Sequence, residues 1–188
     1  MNSRCRVFIA TSLDGMIARP DGNLDWLDQA AATTNNNDCG YHNFYATTDA
    51  LIMGRGTFEK VLSFPEWPYE DKPVVVMSRQ PYSIPSRLPS SVRSTQATPT
   101  QLVQELSEEG LHTLYIDGGK TIQSFLRAGL IEELIITTIP ILIGSGIRLF
   151  DGLTNDIHLK LISSHSYPFG FVQSQYEVLK QDRDDLMN

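Results

Sequence analysis

The sequence predicts an α/β domain with a mixed, mostly parallel sheet. Three observations predict it. Apolar strands alternate with helix-forming stretches through most of the chain, and that alternation implies parallel pairing. Two strands, 49–53 and 112–116, break at glycine and restart as helices. The chain then closes on two strands, 158–163 and 171–178, joined by a turn around Pro168-Phe169-Gly170, which implies an antiparallel edge. No internal repeat, low-complexity tract or linker divides the 188 residues, so one domain is expected.

In chain order, Val7-Phe8-Ile9-Ala10 is a buried first strand. Asp14-Gly15 is a turn pair, after which Met16-Ile17-Ala18 resumes an apolar path. Residues 19–27 form a loop rich in turn residues that ends near Trp26. Such a loop on a rigid scaffold suits ligand contact, and the competing role for Trp26 is to plug the core. Residues 30–37 are small and polar and carry the weakest structural signal. Asp38 precedes a helix over 41–46. It is placed either to cap that helix or to project a carboxylate into the cleft made by the first loop.

Residues 63–71 contain Pro65, Trp67 and Pro68 and form a loop. A strand at 73–77 ends at Ser78-Arg79, 81–89 is turn-rich, and 92–95 is a short strand. In the helix at 99–110, Leu102, Val103 and Leu106 share one face and Gly110 is the stop. The β-branched run 134–143 is a long strand with Pro140 at an edge position or bulge. Gly144-Ser145-Gly146 then turns the chain.

The chemistry concentrates at the two glycine junctions. The first reads Met53-Gly54-Arg55-Gly56-Thr57 and the second Asp117-Gly118-Gly119-Lys120-Thr121. A helix that starts directly after a strand presents unpaired backbone N–H groups with positive partial charge. Paired glycines let a pyrophosphate or another backbone approach closely, and Arg55 adds a planar fork suited to phosphate. In open α/β sheets ligands sit outside the carboxyl ends of the strands, so both junctions are expected to face one crevice.

Composition narrows the classes. A net charge of −7 argues against nucleic-acid binding, which needs a basic face. No apolar run is long enough to span a bilayer, and the N-terminal residues lack a signal core, so a cytoplasmic protein is expected. Cys5 and Cys39 give neither a disulfide framework nor a zinc site. His42, His112, His158 and His165 also lack ligand spacing, so no metal is expected.

Four motifs occur in a familiar order. They are Ser12-Leu13-Asp14-Gly15 with Ile17-Ala18, then Met53-Gly54-Arg55 with Thr57, then Asp117-Gly118-Gly119, then Pro140-Ile141-Leu142-Ile143-Gly144 with Gly146 and Leu149-Phe150. The chain thereby resembles the dihydrofolate reductase-like superfamily and, within it, the C-terminal reductase domain of RibD-type riboflavin biosynthesis proteins. The resemblance runs from about Val7 to Val178. It implies a three-layer fold around an eight-stranded sheet, NADPH as hydride donor, a small pyrimidine or pterin-like substrate, and a homodimer.

Carried over by position, Arg55 would bind the 2′-phosphate of the adenosine ribose. Gly54, Thr57, Gly118 and Gly119 would hold the pyrophosphate, with Lys120 and Thr121 close by. Ser78 and Arg79 match the adenosine-side turn, and Ala10 and Ile17 would border the nicotinamide. Asp14, Trp26 and Asp117 are the candidate substrate contacts. Two carboxylates are candidate catalytic groups. Asp117 stands where RibD-type proteins commonly carry an acid. Asp38 stands sixteen positions before Gly54, where dihydrofolate reductases carry their acidic residue.

Met16 departs from the lysine that RibD-type sequences carry after Ser-Leu-Asp-Gly. The chain also has no His-x-Glu or Pro-Cys-x-x-Cys motif of a zinc deaminase. The expectation is a stand-alone reductase of 5-amino-6-(5-phosphoribosylamino)uracil. Reduction of a pterin with Asp38 as proton source, and NADPH binding without catalysis, are the alternatives.

Overall fold

A computed structural model describes residues 3–180. Its main sheet has eight strands. In spatial order they are β5 (Val92–Thr95), β4 (Val74–Met77), β3 (Ala50–Gly54), β6 (Thr113–Asp117), β1 (Arg4–Ser12), β7 (Ile131–Ile139), β10 (Val172–Val178) and β9 (Leu159–Ser166). The first six run parallel, and β10 is antiparallel to both of its neighbours. A two-stranded ribbon of β2 (Met16–Ala18) and β8 (Ile147–Arg148) stands apart from the sheet.

Strand alternation sends side chains to two layers of helix. Val7, Ile52, Leu114 and Ile116 pack on one face. There they meet Leu102 and Leu106 of α4 (Pro99–Glu108) and Ile122, Phe125 and Leu126 of α5 (Gly119–Arg127). Leu51, Met53, Val76 and Tyr115 pack on the other. They meet Phe44 of α2 (Tyr41–Ala46) and Phe58 and Val61 of α3 (Arg55–Val61). A third cluster joins Trp26 of α1 (Asp25–Ala31) to Cys39, Ile139 and Phe171. This is the mixed, mostly parallel, three-layer arrangement that the motif order implied.

Several expected boundaries move. The stretch 19–27 is a loop only to Leu24, because Trp26 drives α1 against the core. Both junction helices begin at once, at Arg55 and Gly119, with no intervening turn. The strand expected over 134–143 spans Ile131–Ile139 and stops before Pro140, which has no N–H for the ladder. That strand is not at an edge. It pairs with β1 on one side and β10 on the other, so it has no free edge to join to a second copy.

Candidate active site

Adjacent parallel strands bring the two glycine junctions together. In the β3–β6 register Met53 pairs with Asp117, so Gly54 and Gly118 follow side by side. Gly118 has φ 87°, a left-handed conformation that favours glycine. A Cβ there would collide with the Thr57 side chain. A Cβ on Gly54 would lie 2.8 Å from Thr121 Oγ1, and one on Gly119 would lie 2.9 Å from Ile17 Cδ1 and 3.1 Å from the Arg148 carbonyl. Each junction's threonine thus lies against the other junction's glycine. Ile17, Gly54, Thr57, Gly118, Gly119 and Thr121 form one cradle in which bare backbone is required. Lys120 is exposed on the first turn of α5.

Asp117 ends β6 beside this cradle. Its Oδ1 accepts the Gly118 N–H at 2.7 Å. The residue keeps some exposed surface while its carboxyl group is enclosed, and the enclosure sets its chemistry. Burial pushes the pKa up to about 6, against the opposing pull of the Gly118 hydrogen bond. The surroundings are aromatic. Tyr41 contacts Phe8, Tyr115 and Tyr45 at centroid distances of 5.6, 6.3 and 5.8 Å, and Tyr45 lies 6.2 Å from Tyr69. Burial, and secondarily the Asp117 charge, raises the pKa of Tyr41, Tyr69 and Tyr115. The Tyr115 hydroxyl donates to the Phe8 carbonyl at 2.9 Å, which fixes that wall. Tyr41 and Tyr45 share a helix face by spacing, but no sequence signal ties Tyr69 or Tyr115 to them.

Arg55 stands on the outer side of the cradle. It donates Nε–H to Glu59 Oε1 at 2.8 Å, and its guanidinium lies 5.1 Å from the Tyr82 ring centre. Tyr82 lines a cleft of about 400 Å³ with Gln80, Ser94, Thr95 and Gln96. Ser78 and Arg79 lead into that cleft. The Ser78 hydroxyl accepts the Gln80 N–H at 3.4 Å, and Gln96 donates to the Arg79 carbonyl at 3.2 Å. A hollow of about 300 Å³ lies between α2 and strands β1, β7, β10 and β9. Within its polar lining, Arg6 is paired to Glu133 and Gln175 is bonded to the same carboxylate.

The other candidates have different surroundings. Asp14 accepts the Ser12 hydroxyl at 2.6 Å and the N–H groups of Ile143 and Gly144 at 3.2 and 2.7 Å. These bonds hold its pKa below the usual carboxylate range, with the Ser12 bond foremost. Both oxygens bolt the loop after β1 to the turn after β7. Asp38 accepts N–H groups from Gly40 at 2.9 Å and His42 at 2.7 Å, so both its oxygens serve the start of α2. The His42 bond leads in lowering its pKa, which favours the carboxylate over a proton-donating acid. Trp26 is buried at 1% exposure, and its Nε1 has no hydrogen-bond partner among the described residues. Ala10 packs with the Trp26 cluster rather than with the cradle.

Among the described residues no three His, Cys, Asp or Glu side chains gather as a metal site. No helix among them is long and apolar enough to cross a membrane.

Comparison with known proteins gives the family and the fold. The family model for the RibD C-terminal domain matches residues 5–172. The Bacillus subtilis (strain 168) protein YwjB, itself uncharacterized, is 38% identical over 163 residues, covering 86% of this chain and 90% of its own. The crystal structure of a putative riboflavin biosynthesis protein from Shewanella sp. PV-4 superposes with TM-score 0.88 at 39% identity, covering 94% of this chain and 99% of that one. A dihydrofolate reductase from Enterococcus faecalis, complexed with NADP(H) and RAB-propyl, superposes with TM-score 0.66 at 14% identity, over 96% and 99% of the two chains. At that identity it is similar in fold alone.

Proposed function

The chain belongs to the RibD C-terminal domain family, and from that premise we propose that it is an NADPH-dependent reductase of a small heterocyclic substrate. The observation that carries the reading is the shared glycine cradle with an enclosed carboxyl at the end of the same strand. The residues fit a dinucleotide, because bare backbone at Gly54, Gly118 and Gly119 lets the two junctions pack directly on each other and sets the unpaired N–H groups at the start of α5 beside Gly54, where a pyrophosphate finds donors. Gly54, Gly118 and Gly119 would hold the pyrophosphate with Thr57 and Thr121, and Lys120 would add charge. Arg55 would face the ribose 2′-phosphate, with Ser78 and Arg79 along the adenosine side. Ala10 and Ile17 would border the nicotinamide.

When bound, the cofactor supplies the hydride. The chain supplies placement and a proton-bearing group. Reduction of a ribosylamine in its imine form puts hydride on C1′ and a proton on nitrogen. Asp117 is the group placed to hold a substrate hydroxyl or to deliver that proton, since a pKa of about 6 keeps its acid form populated near neutrality. Asp38 serves this reading as a helix cap, and Asp14 as a loop fastening. The reference reaction is reduction of 5-amino-6-(5-phosphoribosylamino)uracil. Met16, where the family's lysine would stand, is buried at 2% exposure and brings no charge to a substrate phosphate. Unphosphorylated pyrimidines and pterins therefore belong in the same screen.

The proposal includes a homodimer in a cytoplasmic setting. A second copy would use the edge of β9, whose residues are all exposed and whose outer backbone groups are unpaired within the sheet.

The first test is fluorescence titration of NADPH beside NADH on wild type and Arg55→Ala. Tight NADPH binding that Arg55→Ala weakens supports the cofactor site. Absence of binding by either nucleotide overturns it.

A further inference from the structure

We propose that Glu59 sets the cofactor preference of this site by competing with a 2′-phosphate for Arg55, so that the chain accepts NADH as well as NADPH. The inference rests on the reading above that Arg55 faces the adenosine ribose. Arg55 and Glu59 lie one helical turn apart on α3 and form an i,i+4 ion pair at 2.8 Å. The guanidinium is held from a second side by the Tyr82 ring. That ring is itself fixed edge-on to Phe58, with centroids 5.9 Å apart and an interplanar angle of 88°. Phe58 is fully buried, so the platform under Arg55 does not swing freely.

Tyr82 also lines the 400 Å³ cleft, so the clamped arginine stands at its wall. None of the residues lining that cleft is charged. Besides Arg79, which leads into the cleft, the charge that an adenosine ribose meets there comes from the Arg55–Glu59 pair.

The two cofactors differ in what they ask of that pair. A 2′-phosphate needs the guanidinium fork that Glu59 already engages, and its own negative charge is repelled by the carboxylate. A ribose 2′-hydroxyl needs an acceptor, and a carboxylate is the usual acceptor for it in NAD sites. Both partners are about half exposed, at 52% and 47%, so their pairing is weak and a phosphate can displace it. Glu59 therefore reduces the preference for NADPH without abolishing it.

The test titrates both nucleotides by fluorescence on wild type, Glu59→Gln, Arg55→Ala and the double variant, with a melting curve for each. Glu59→Gln is expected to tighten NADPH roughly two- to fivefold while leaving NADH unchanged or weaker. The gain should vanish on the Arg55→Ala background, since Glu59 acts through Arg55. An unchanged ratio of the two dissociation constants, or an equal shift of both, overturns the role of Glu59 and leaves the cofactor site standing. Failure of the wild type to bind either nucleotide overturns both readings.

Discussion

At Asp117 the sign of the pH dependence follows from burial. Its pKa in the folded chain is about 6, above the ordinary value of 3.8. Between those values the folded chain holds a proton that the unfolded chain has released. Stability from this group is therefore full below about pH 4 and is lost as pH rises towards 6. Asp117→Asn keeps an acceptor for the Gly118 N–H and removes the ionisation. We expect the variant to gain stability over wild type as pH rises from 4 to 7, measured by urea unfolding at several pH values. If Asp117 supplies the proton, turnover falls above about pH 6 in wild type and is lost in the variant across the range. Arg55→Ala should weaken NADPH about tenfold or more, and NADH much less. Gly118→Ala combines a left-handed φ with a collision against Thr57 and should cost about 2 kcal/mol in the same unfolding assay.

At the element scale, the segment carrying Ile17 is fastened to the segment after β7 as well as to Ser12 at the end of β1. Leu13 N–H donates to the Ile141 carbonyl at 2.8 Å, Leu149 N–H to the Gly15 carbonyl at 3.0 Å, and β2 pairs with β8. Asp14 closes the same seam through Ile143 and Gly144. Because its pKa is lowered, its contribution is present above the unfolded carboxylate range and is lost as pH falls through the lowered value. Asp14→Ala should speed hydrogen exchange at Gly144 and leave the β6 amides protected. Unchanged exchange at Gly144 would show that the remaining backbone bonds suffice. Elsewhere the start of α4 is set by local chemistry, while Leu102 and Leu106 seat the helix on the core. Thr98 and Gln101 form a complete capping box with Pro99 in the first turn, and Thr98→Ala should cost about 1 kcal/mol.

Across the whole molecule, β7 is internal and the exposed sheet edge lies at β9. β7 contributes Glu133, 5% exposed, whose carboxylate takes the Arg6 guanidinium from β1 and the Gln175 amide from β10. Removing the carboxylate leaves the partly buried Arg6 guanidinium with Thr47 as its remaining hydrogen-bond partner, so Glu133→Ala should cost about 2 kcal/mol. β9 carries Leu161 and Ile162 at 55% and 51% exposure. Light scattering should give a dimer for wild type and a monomer for Leu161→Lys. A monomer mass for wild type would remove the dimer from the proposal.

The alternation of strands and helices, the closing hairpin and both glycine junctions were legible in the sequence. Each is a local signal: apolar periodicity, a turn residue, or a glycine where backbone must be bare. The same locality made Gly54, Arg55, Thr57, Gly118, Gly119 and Thr121 visible as candidates. Helix α1 was missed because its N-cap, Leu24, offers no side-chain cap and what holds it is tertiary, namely packing of Trp26, Leu27 and Ala30 and the Arg19–Asp25 pair. Asp14 and Asp38 could be named but not given their surroundings, since their partners are backbone N–H groups that exist only once the loop or helix has formed. The tyrosine wall around Asp117 joins residues from 41 to 115, and the hold of Tyr82 on Arg55 crosses from a loop to a helix. Sequence determined which residues of a type suited to anion and proton chemistry stand at the two junctions, through their local spacing. Tertiary structure alone decided which of them share a site, because burial and charge coupling depend on neighbours that the chain brings together only on folding.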